Sequence, residues 1–340
     1  MPETRDDVFP TPSDEPLGSS VALFETRFDP ETNTWERVSN TPRYFRSTKF
    51  LDGTDNICEG VDKKLGIRVM FKGFAQDENV SEETYRRWID RLKHEAVLTA
   101  NTRSKELIVV YDFIWDEEAK EGWIVLEDLH QQGFLSLEEL RYKSALEKIN
   151  SSQIIEVVRL IADALQQLRA KGVSHRDIKP ANLMYRFATE HEEAALKIID
   201  LGAAIKGMGH QSFKGTPAYA SYENIHRLPE NEFSDTFVLG LLIHFLFAGN
   251  SPMTIVDPSR GKKDFDLYTV ENEPYDLANY PKVVERLSEL GINQNNFRLL
   301  INLALLQKTT ISDTQGEKLT PTQLAERFAS LFPTTPPEVL

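Results

Sequence analysis

The sequence predicts an α+β fold in which a strand-rich first part is followed by a helix-rich second part. Between residues 44 and 129, short alternating or continuous apolar runs surround one amphipathic helix. From residue 130 onward, apolar residues recur with the 3.6-residue period of helices. Strands in one half of a chain and helices in the other are typical of two lobes with a cleft between them.

The residues before position 44 are predicted to be peripheral. Residues 1–20 carry prolines among acids and serines, and we expect a flexible acidic tail there. Within residues 21–43, an extended run at 21–28, a polar turn and a second run at 34–38 indicate a β-hairpin. The extension is either a regulatory strap or a solubilising segment, and the sequence leaves both open.

The strand-rich part is predicted from three apolar segments. Residues 67–72 alternate between two faces, as a strand does. A helix is expected after Ser81, because its hydroxyl can cap the helix and two glutamates follow in the first turn. The runs 107–115 and 123–126, joined by a charged turn, are predicted to pair antiparallel.

The helix-rich part, residues 130–333, is predicted from periodicity and capping residues. One helix begins at Ser151 or Ser152, and Ser234 is a candidate cap for a helix that is apolar nearly all round. The apolar helix is predicted at residues 235–249, and further helices are predicted at residues 281–290, 294–306 and 320–332. Residues 334–340 are expected to form a C-terminal tail.

Composition restricts the classes of function. With 39 basic and 53 acidic residues the formal net charge is −14, which suits basic or neutral protein partners and opposes binding to nucleic acid or anionic membrane. No apolar run reaches the roughly 20 residues that a membrane span needs, and none suggests a signal peptide. The single cysteine, Cys58, fits a reducing compartment. We therefore expect a soluble cytoplasmic protein, whose oligomeric state the sequence leaves open.

The most informative segment is residues 175–182, with the sequence HRDIKPAN. It follows a strongly predicted helix and precedes a short strand, and a later apolar strand ends in Asp200-Leu201-Gly202. Six specified positions in such a pattern would occur by chance about once in 10⁵ chains of this length. A lone loop aspartate is usually a helix or turn cap, but that explanation does not account for the whole pattern.

These residues resemble the catalytic loop of the eukaryotic-type (Hanks) serine/threonine protein kinase family, whose pattern is His-Arg-Asp-x-Lys-Pro-x-Asn. Asp200-Leu201-Gly202 stands where that family has Asp-Phe-Gly. The resemblance implies a bilobal protein kinase-like fold with a small β-rich N-lobe and hinge at 44–129 and a larger helical C-lobe at 130–333. It also implies ATP and Mg²⁺ as cofactors and a protein hydroxyl as phosphate acceptor.

The resemblance assigns roles to four residues of these motifs. Asp177 would be the catalytic base that orients the substrate hydroxyl, and Lys179 would meet the γ-phosphate. Asn182 and Asp200 would hold Mg²⁺ through the hard oxygen ligands that this ion prefers. A lysine at position 179 also resembles the serine/threonine branch of the family rather than the tyrosine branch.

The residues implied for nucleotide binding lie in the strand-rich part. Lys72 stands where the family has the lysine of Val-Ala-Ile-Lys. Glu95 lies beside the apolar stripe of the predicted helix, where an unpaired carboxylate is costly, so we predict an ion pair between Glu95 and Lys72. A surface lysine with a solvated head group is the alternative. The resemblance places six further residues around the nucleotide: Gly53, Ile57, Met70, Leu126, Glu127 and Leu129. Of these, Leu126, Glu127 and Leu129 belong to the gatekeeper and hinge.

The segment after Asp200 is predicted to close onto the catalytic loop. By family resemblance, Thr216 is expected to contact the loop's aspartate and lysine rather than carry a regulatory phosphate. Arg176 is expected to bind either a phosphate on this segment or a local carboxylate, and the two remain open. Glu223 has no arginine between residues 313 and 322 to pair with, which leaves Lys318 as the candidate partner.

Departures from the family pattern open a second function. The family's glycine-rich loop should lie within residues 50–57, yet only Gly53 is a glycine there, and Asp52 and Asp55 add negative charge. The alternative is therefore a pseudokinase or a weakly active kinase-like regulator or scaffold. A small-molecule kinase of the aminoglycoside or choline type is disfavoured, because those enzymes usually have His-Gly-Asp and lack a lysine corresponding to Lys179.

Overall fold

The computed structural model divides into two compact units, Met1–Asn101 with Ile108–Gln132, and Thr102–Leu107 with Gly133–Leu340. The first contains most of the strands and the second most of the helices, so the predicted α+β class is confirmed. The structure describes residues 20–29, 34–37, 41–51, 54, 56–75, 80–116, 120–207, 213–225, 227–255, 267–268, 275–305 and 318–333.

An antiparallel sheet is the main feature of the first unit. The strands of this unit are β1 (Ser20–Leu23), β2 (Thr26–Asp29), β3 (Thr34–Arg37), β4 (Tyr44–Phe50), β5 (Ile57–Asp62), β6 (Ile67–Phe74), β7 (Val110–Asp116) and β8 (Glu121–Glu127). Six of them form one sheet in the order β1-β4-β5-β6-β8-β7, and β2 pairs with β3. Tyr44, Phe71 and Trp123 are fully buried in the core of this sheet, with edge-to-face ring contacts.

The N-terminal extension contains three short strands where the sequence indicated the two arms of a hairpin. The run predicted as one arm of a hairpin divides in two, because β1 pairs with β4 at the edge of the sheet and only β2 pairs with β3. Ser20, which was expected to belong to the tail, begins β1, and Leu23 at its end is buried in the core. Burial of Leu23 is the physical reason that β1 joins the sheet. The rest of the tail and the turn at 30–33 lie outside the described residues.

Helix α1 (Glu82–Thr102) is the helix that the sequence predicted after Ser81. Ser81 Oγ accepts a hydrogen bond from the backbone N of Thr84 at 3.3 Å, as expected for a cap. Leu92 and Ala96 of the helix pack against Ile124 of β8. This packing turns the helix face next to Glu95 toward the sheet.

The second unit combines short strands with helices. In chain order, its elements are β9 (Leu135–Ser136), α2 (Leu137–Tyr142), α3 (Ser151–Ala170), β10 (Val173–Ser174), β11 (Leu183–Arg186), β12 (Ala195–Ile198), β13 (Ile205–Lys206), α4 (Tyr222–Ile225), α5 (Glu232–Ala248), β14 (Thr254–Ile255), β15 (Leu267–Tyr268), α6 (Pro281–Glu289), α7 (Gln294–Leu305) and α8 (Pro321–Ala329). Strand β11 pairs with β9 and β12, and β10 pairs with β13. These pairings position the loop at 175–182 and the turn after residue 198.

Helix α5 is the centre of the helical core. It is buried on nearly every side and contacts α3, α6, α7 and α8. It begins before the expected Asp235, because Asn231 is its cap and accepts hydrogen bonds from the backbone N of Phe233 and Ser234 at 2.9 and 3.3 Å. Ser234, expected as the cap, instead accepts from Asn231 N and completes a capping box. Neither α5 nor any other helix in the described ranges has the length and apolar character to cross a membrane.

Candidate active site

The aspartate of the 175–182 loop is held by fixed donors. Asp177 Oδ1 accepts hydrogen bonds from the backbone N and Oγ1 of Thr216 at 2.8 and 2.7 Å. Lys179 Nζ lies 3.0 Å from Asp177 Oδ2 and donates to Thr216 Oγ1 at 3.0 Å. The predicted contact of Thr216 with the aspartate and the lysine is confirmed. Because both carboxylate oxygens have partners, the Asp177 side chain has a defined orientation.

Asn182 completes this cluster. Its Nδ2 donates to the backbone O of Asp177 at 2.8 Å and to Asp177 Oδ2 at 3.3 Å. Its side-chain oxygen is therefore the group left to accept from a donor or bind a cation, and no donor to it occurs within the described ranges. The backbone N of Ile199 donates to the backbone O of Asn182 at 3.0 Å, so Asn182 lies next to the turn that carries Asp200.

His175 connects the loop to the strand before Asp200. The backbone N of Asp177 donates to His175 Nδ1 at 3.3 Å. Since Nδ1 accepts, the proton of the neutral ring is on Nε2, which lies 3.1 Å from the backbone O of Ile199. This buried ring ties together the two predicted motifs. Sequence reasoning used His175 only as part of the pattern and missed this role.

Two residues of the site adopt a backbone conformation that is rare for residues other than glycine. Asp200 has φ 66° and Arg176 has φ 69°. Such conformations cost about 1–3 kcal/mol each and tend to occur at functional sites. The Asp200 carboxylate accepts from the backbone N of Gly202 at 3.1 Å, which holds the side chain in the turn. Asp200 and Asn182 are the residues of this site that could bind Mg²⁺.

Gly215 allows the next segment to approach the loop. It has φ 107°, and a Cβ there would lie 2.2 Å from the backbone O of Arg176 and 3.3 Å from Asp177 Oδ1. Any larger residue would therefore push the segment away from the loop. The sequence pattern Gly-Thr-Pro contained this residue, but the reason for a glycine became visible only in three dimensions.

Arg176 lies among local polar groups. Its NH2 group is 3.4 Å from Asn224 Oδ1, and Asn224 Nδ2 donates to the backbone O of Arg176 at 3.2 Å. Burial lowers the pKa of the Arg176 guanidinium, and the negative charge of Glu230 partly offsets that shift. Burial in turn raises the pKa of Glu230. A nearby carboxylate is therefore present, whereas residues 208–212 of the segment after Asp200 lie outside the described residues.

The expected pairing of Glu223 with Lys318 is wrong. Glu223 is fully buried and accepts a hydrogen bond from Ser234 Oγ at 2.8 Å. The Lys318 ammonium lies over the ring of Phe233, 4.9 Å from its centroid. There the exposed lysine keeps its hydration, which it would lose beside a buried carboxylate.

The predicted ion pair of the first unit is confirmed. Lys72 Nζ lies 2.7 Å from Glu95 Oε1, and their side chains are 15% and 10% exposed. Lys72 is therefore not the solvated surface lysine of the alternative interpretation. Ile57 lies opposite Lys72 on β5, and Leu126 lies opposite Met70 on β8. Paired residues share a face of a sheet, and so do residues two apart on one strand. The side chains of Ile57, Met70, Lys72 and Leu126 therefore lie on one face.

The remaining candidates of the first unit lie at the end of β8. Glu127 accepts a hydrogen bond at Oε1 from the backbone N of Val109 at 2.7 Å and at Oε2 from Gln132 Nε2 at 3.1 Å. Leu129 is buried. Gly53 lies outside the described residues. The two groups of candidates belong to different units, and their convergence on one nucleotide stays a prediction.

Comparison with known proteins identifies the class to which this fold and these motifs belong. The protein kinase domain family matches residues 54–297, so the chain belongs to that family. The predicted resemblance to Hanks-type serine/threonine kinases is thereby confirmed.

Individual relatives include protein kinases from distant organisms. Aurora kinase of Dictyostelium discoideum is 24% identical over 263 residues, which cover 76% of this chain and 62% of the relative. Serine/threonine-protein kinase PknL of Mycobacterium tuberculosis is 26% identical over 224 residues, 62% of this chain and 51% of the relative. The calcium/calmodulin-dependent protein kinase type II subunit delta of Oryctolagus cuniculus is 30% identical over 149 residues, 40% of this chain and 28% of the relative. The matches thus span less than two thirds of each relative.

Proposed function

We propose that this chain is a serine/threonine protein kinase that transfers the γ-phosphate of Mg-ATP to a protein hydroxyl. The observation that carries the proposal is the cluster in which Lys179, Asn182 and Thr216 all contact the Asp177 carboxylate. Phosphoryl transfer leaves little covalent work for the protein, so positioned charges and hydrogen bonds account for most of the catalysis. This cluster supplies both.

In the proposed reaction, Asp177 orients the acceptor hydroxyl and accepts its proton. The donors around its carboxylate hold it in one orientation, which a positioned base requires. Lys179, next to Asp177, would provide positive charge where negative charge develops on the transferred phosphate. Thr216 supports the position of both side chains.

The donor set fits a magnesium ion. Asn182 commits its Nδ2 to Asp177 and so presents an oxygen, and Asp200 offers a carboxylate on the adjacent turn. Mg²⁺ is commonly bound by one or two protein oxygens together with substrate phosphates, and it neutralises phosphate charge. Asn182 and Asp200 would hold it.

The nucleotide is proposed to bind the sheet of the first unit. Lys72, held by Glu95, would bind the α- and β-phosphates, as in the family pattern. Ile57, Met70 and Leu126 would line the adenine site from the face they share. Gly53, Glu127 and Leu129 are proposed as further contacts.

Mass spectrometry after incubation with Mg-ATP tests the proposal. The wild type is expected to incorporate phosphate on serine or threonine, either on itself or on a peptide panel, and Asp177→Asn is expected to lose this activity. Asp90→Asn, an exposed acid on α1, is the matched control and should behave as the wild type. Equal incorporation by the wild type and Asp177→Asn would contradict the assignment.

A kinase-like regulator or scaffold is the second candidate. It is favoured by the sequence of residues 50–57, where Gly53 is the single glycine and Asp52 and Asp55 are acidic. Thermal denaturation with ATP separates the two. An enzyme should be stabilised by ATP only when Mg²⁺ is present, whereas no stabilisation, or stabilisation independent of Mg²⁺, would favour the regulator.

We further propose a basic or neutral protein substrate and a cytoplasmic location. The net charge of −14 supports the first, because opposite charge speeds encounter with a partner. The single buried Cys58 supports a reducing compartment.

A further inference from the structure

The second unit contains a cavity with an excess of basic side chains. Its volume is about 180 Å³. Arg141 at the end of α2 and Lys282 and Arg286 of α6 line it, together with residues 246–249 at the end of α5. Among the described residues of the lining Glu147 is the acidic one, so three cations there face one carboxylate.

The basic groups of this cavity are incompletely neutralised. Arg141 and Lys282 are exposed, and neither has an ion-pair partner among the residues that the structure describes. Arg286 is anchored, because its NH1 group lies 2.8 Å from Glu289 Oε2 and its NH2 group donates to the backbone O of Ile149 at 2.5 Å. Its buried Nε has no hydrogen-bond partner in the described structure.

An ordinary explanation is that these cations complement the negative end of the α5 dipole. Arg141 does lie beside Gly249, its Nε 3.7 Å from the position of a Cβ there. However, within the described ranges neither Arg141 nor Lys282 donates a hydrogen bond to a carbonyl of residues 246–248. The dipole therefore accounts for the sign of the charge but not for the buried Nε of Arg286, which has no hydrogen-bond partner in the described structure.

The cavity adjoins the segment that contacts the catalytic loop. Burial raises the pKa of Tyr219, as does the negative charge of Glu138, and the positive charge of Arg141 opposes that shift. Ser251, just after the α5 end that lines the cavity, donates to the backbone O of Ala218 at 2.6 Å. Residues 218 and 219 follow closely after Thr216, so a short stretch of chain links the Asp177 cluster to the cavity wall.

We propose that this cavity binds one carboxylate or phosphate group that the substrate protein carries a few residues from its acceptor hydroxyl. The inference rests on the proposed kinase function and specifies its substrate class: a local acidic or previously phosphorylated side chain, even where the substrate is basic overall. Arginine donors pair well with such anions. Because one water takes about 30 Å³, the cavity has space for a phosphate group.

A series of synthetic peptides tests whether the cavity binds an anionic group of the substrate. Each peptide has one serine in an otherwise uncharged sequence, with a single glutamate or phosphoserine placed at each position from four before to four after it. At one position we expect the anionic group to lower KM by about tenfold or more, with kcat little changed, as a charge-assisted hydrogen bond predicts. The double variant Arg141→Gln/Lys282→Gln should lose this gain and should phosphorylate the uncharged parent peptide as the wild type does.

Lys143→Gln, an exposed lysine next to α2 that does not line the cavity, is the control and should keep the gain. Activity on the parent peptide with no gain at any position, or a gain that the double variant keeps, would overturn the inference and leave the kinase proposal standing. If no peptide and no residue of the protein is phosphorylated, the kinase proposal fails. Fluorescence anisotropy with the phosphoserine peptides then tests whether the cavity binds an anion. Binding by the wild type that the double variant loses supports the anion site, and no binding by the wild type overturns it.

Discussion

Replacing Gly215 by alanine tests how the catalytic loop is positioned. The new Cβ would lie 2.2 Å from the backbone O of Arg176, whereas ordinary van der Waals contact begins near 3.4 Å. The obstacle is backbone and cannot rotate away, so the segment that begins with Gly215 must move by more than 1 Å. Thr216 is the next residue, and its two hydrogen bonds to Asp177, now 2.8 and 2.7 Å long, would then be broken or weakened.

The magnitude follows from these contacts. A hydrogen bond to a charged group contributes about 1.5–3 kcal/mol. A side chain at positive φ adds about 1–2 kcal/mol of strain. A displacement of about 1 Å near reacting groups can lower a rate by about 10²-fold. We therefore expect Gly215→Ala to lower kcat/KM by about 10²-fold and to reduce the free energy of unfolding by about 3 kcal/mol or more.

Gly207 provides the matched control. It has φ 96°, but a Cβ there would meet nothing within 4 Å. Gly207→Ala therefore carries the backbone strain without the collision. Steady-state kinetics with Mg-ATP and a peptide substrate, together with thermal denaturation, should show activity within about threefold of the wild type and a loss of about 1 kcal/mol. Equal activity of the two alanine variants would refute the idea that close contact at Gly215 positions Asp177.

Three further predictions concern stability. Glu95→Gln removes the carboxylate that pairs with Lys72 in a mostly buried site, so we expect the free energy of unfolding, measured with denaturant, to fall by about 3 kcal/mol. Arg86→Gln breaks an exposed pair on the same helix and should cost less than about 0.5 kcal/mol. Equal losses in the two variants would contradict the assignment of the Lys72–Glu95 pair. Burial lowers the pKa of His244 from 6.5 to about 3. The unfolded chain therefore takes up a proton below pH 6.5 that the folded chain does not, and stability should fall by about 2 kcal/mol between pH 7 and pH 5 through this group. His244→Asn should remove that part of the pH dependence, and an unchanged slope would exclude it. Asn231→Ala should lower the melting temperature through the loss of about 1 kcal/mol of helix capping, whereas no change would show that Ser234 suffices.

Local patterns were enough to predict much of the site. The ion pair of Lys72 with Glu95 followed from a strand, a helix and the cost of an unpaired carboxylate beside an apolar stripe, and the atoms lie 2.7 Å apart. The family motif around Asp177 predicted its contact with Thr216, although 39 residues separate the two. Each inference needed only residue types at short spacing and a recognised order of motifs.

Other features depended on contacts between distant segments. The run predicted at 21–28 divides in two because β1 pairs with β4, where Leu23 is buried in the core. Ser234 was predicted to cap the apolar helix, but α5 begins earlier and Asn231 is its cap. Lys318 has the charge to pair with Glu223, yet its ammonium lies over the ring of Phe233.

The sequence by itself determined the family, the two-part division and the chemical groups of the candidate site, because these depend on periodicity and on residue types at short spacing. Only the tertiary structure decided why position 215 must be glycine and which groups surround Arg176. It also decided that Arg141, Lys282 and Arg286 share one cavity although about 140 residues separate the first from the others. Such juxtapositions depend on how the whole chain packs, and a local pattern carries no information about a neighbour that lies far along the sequence.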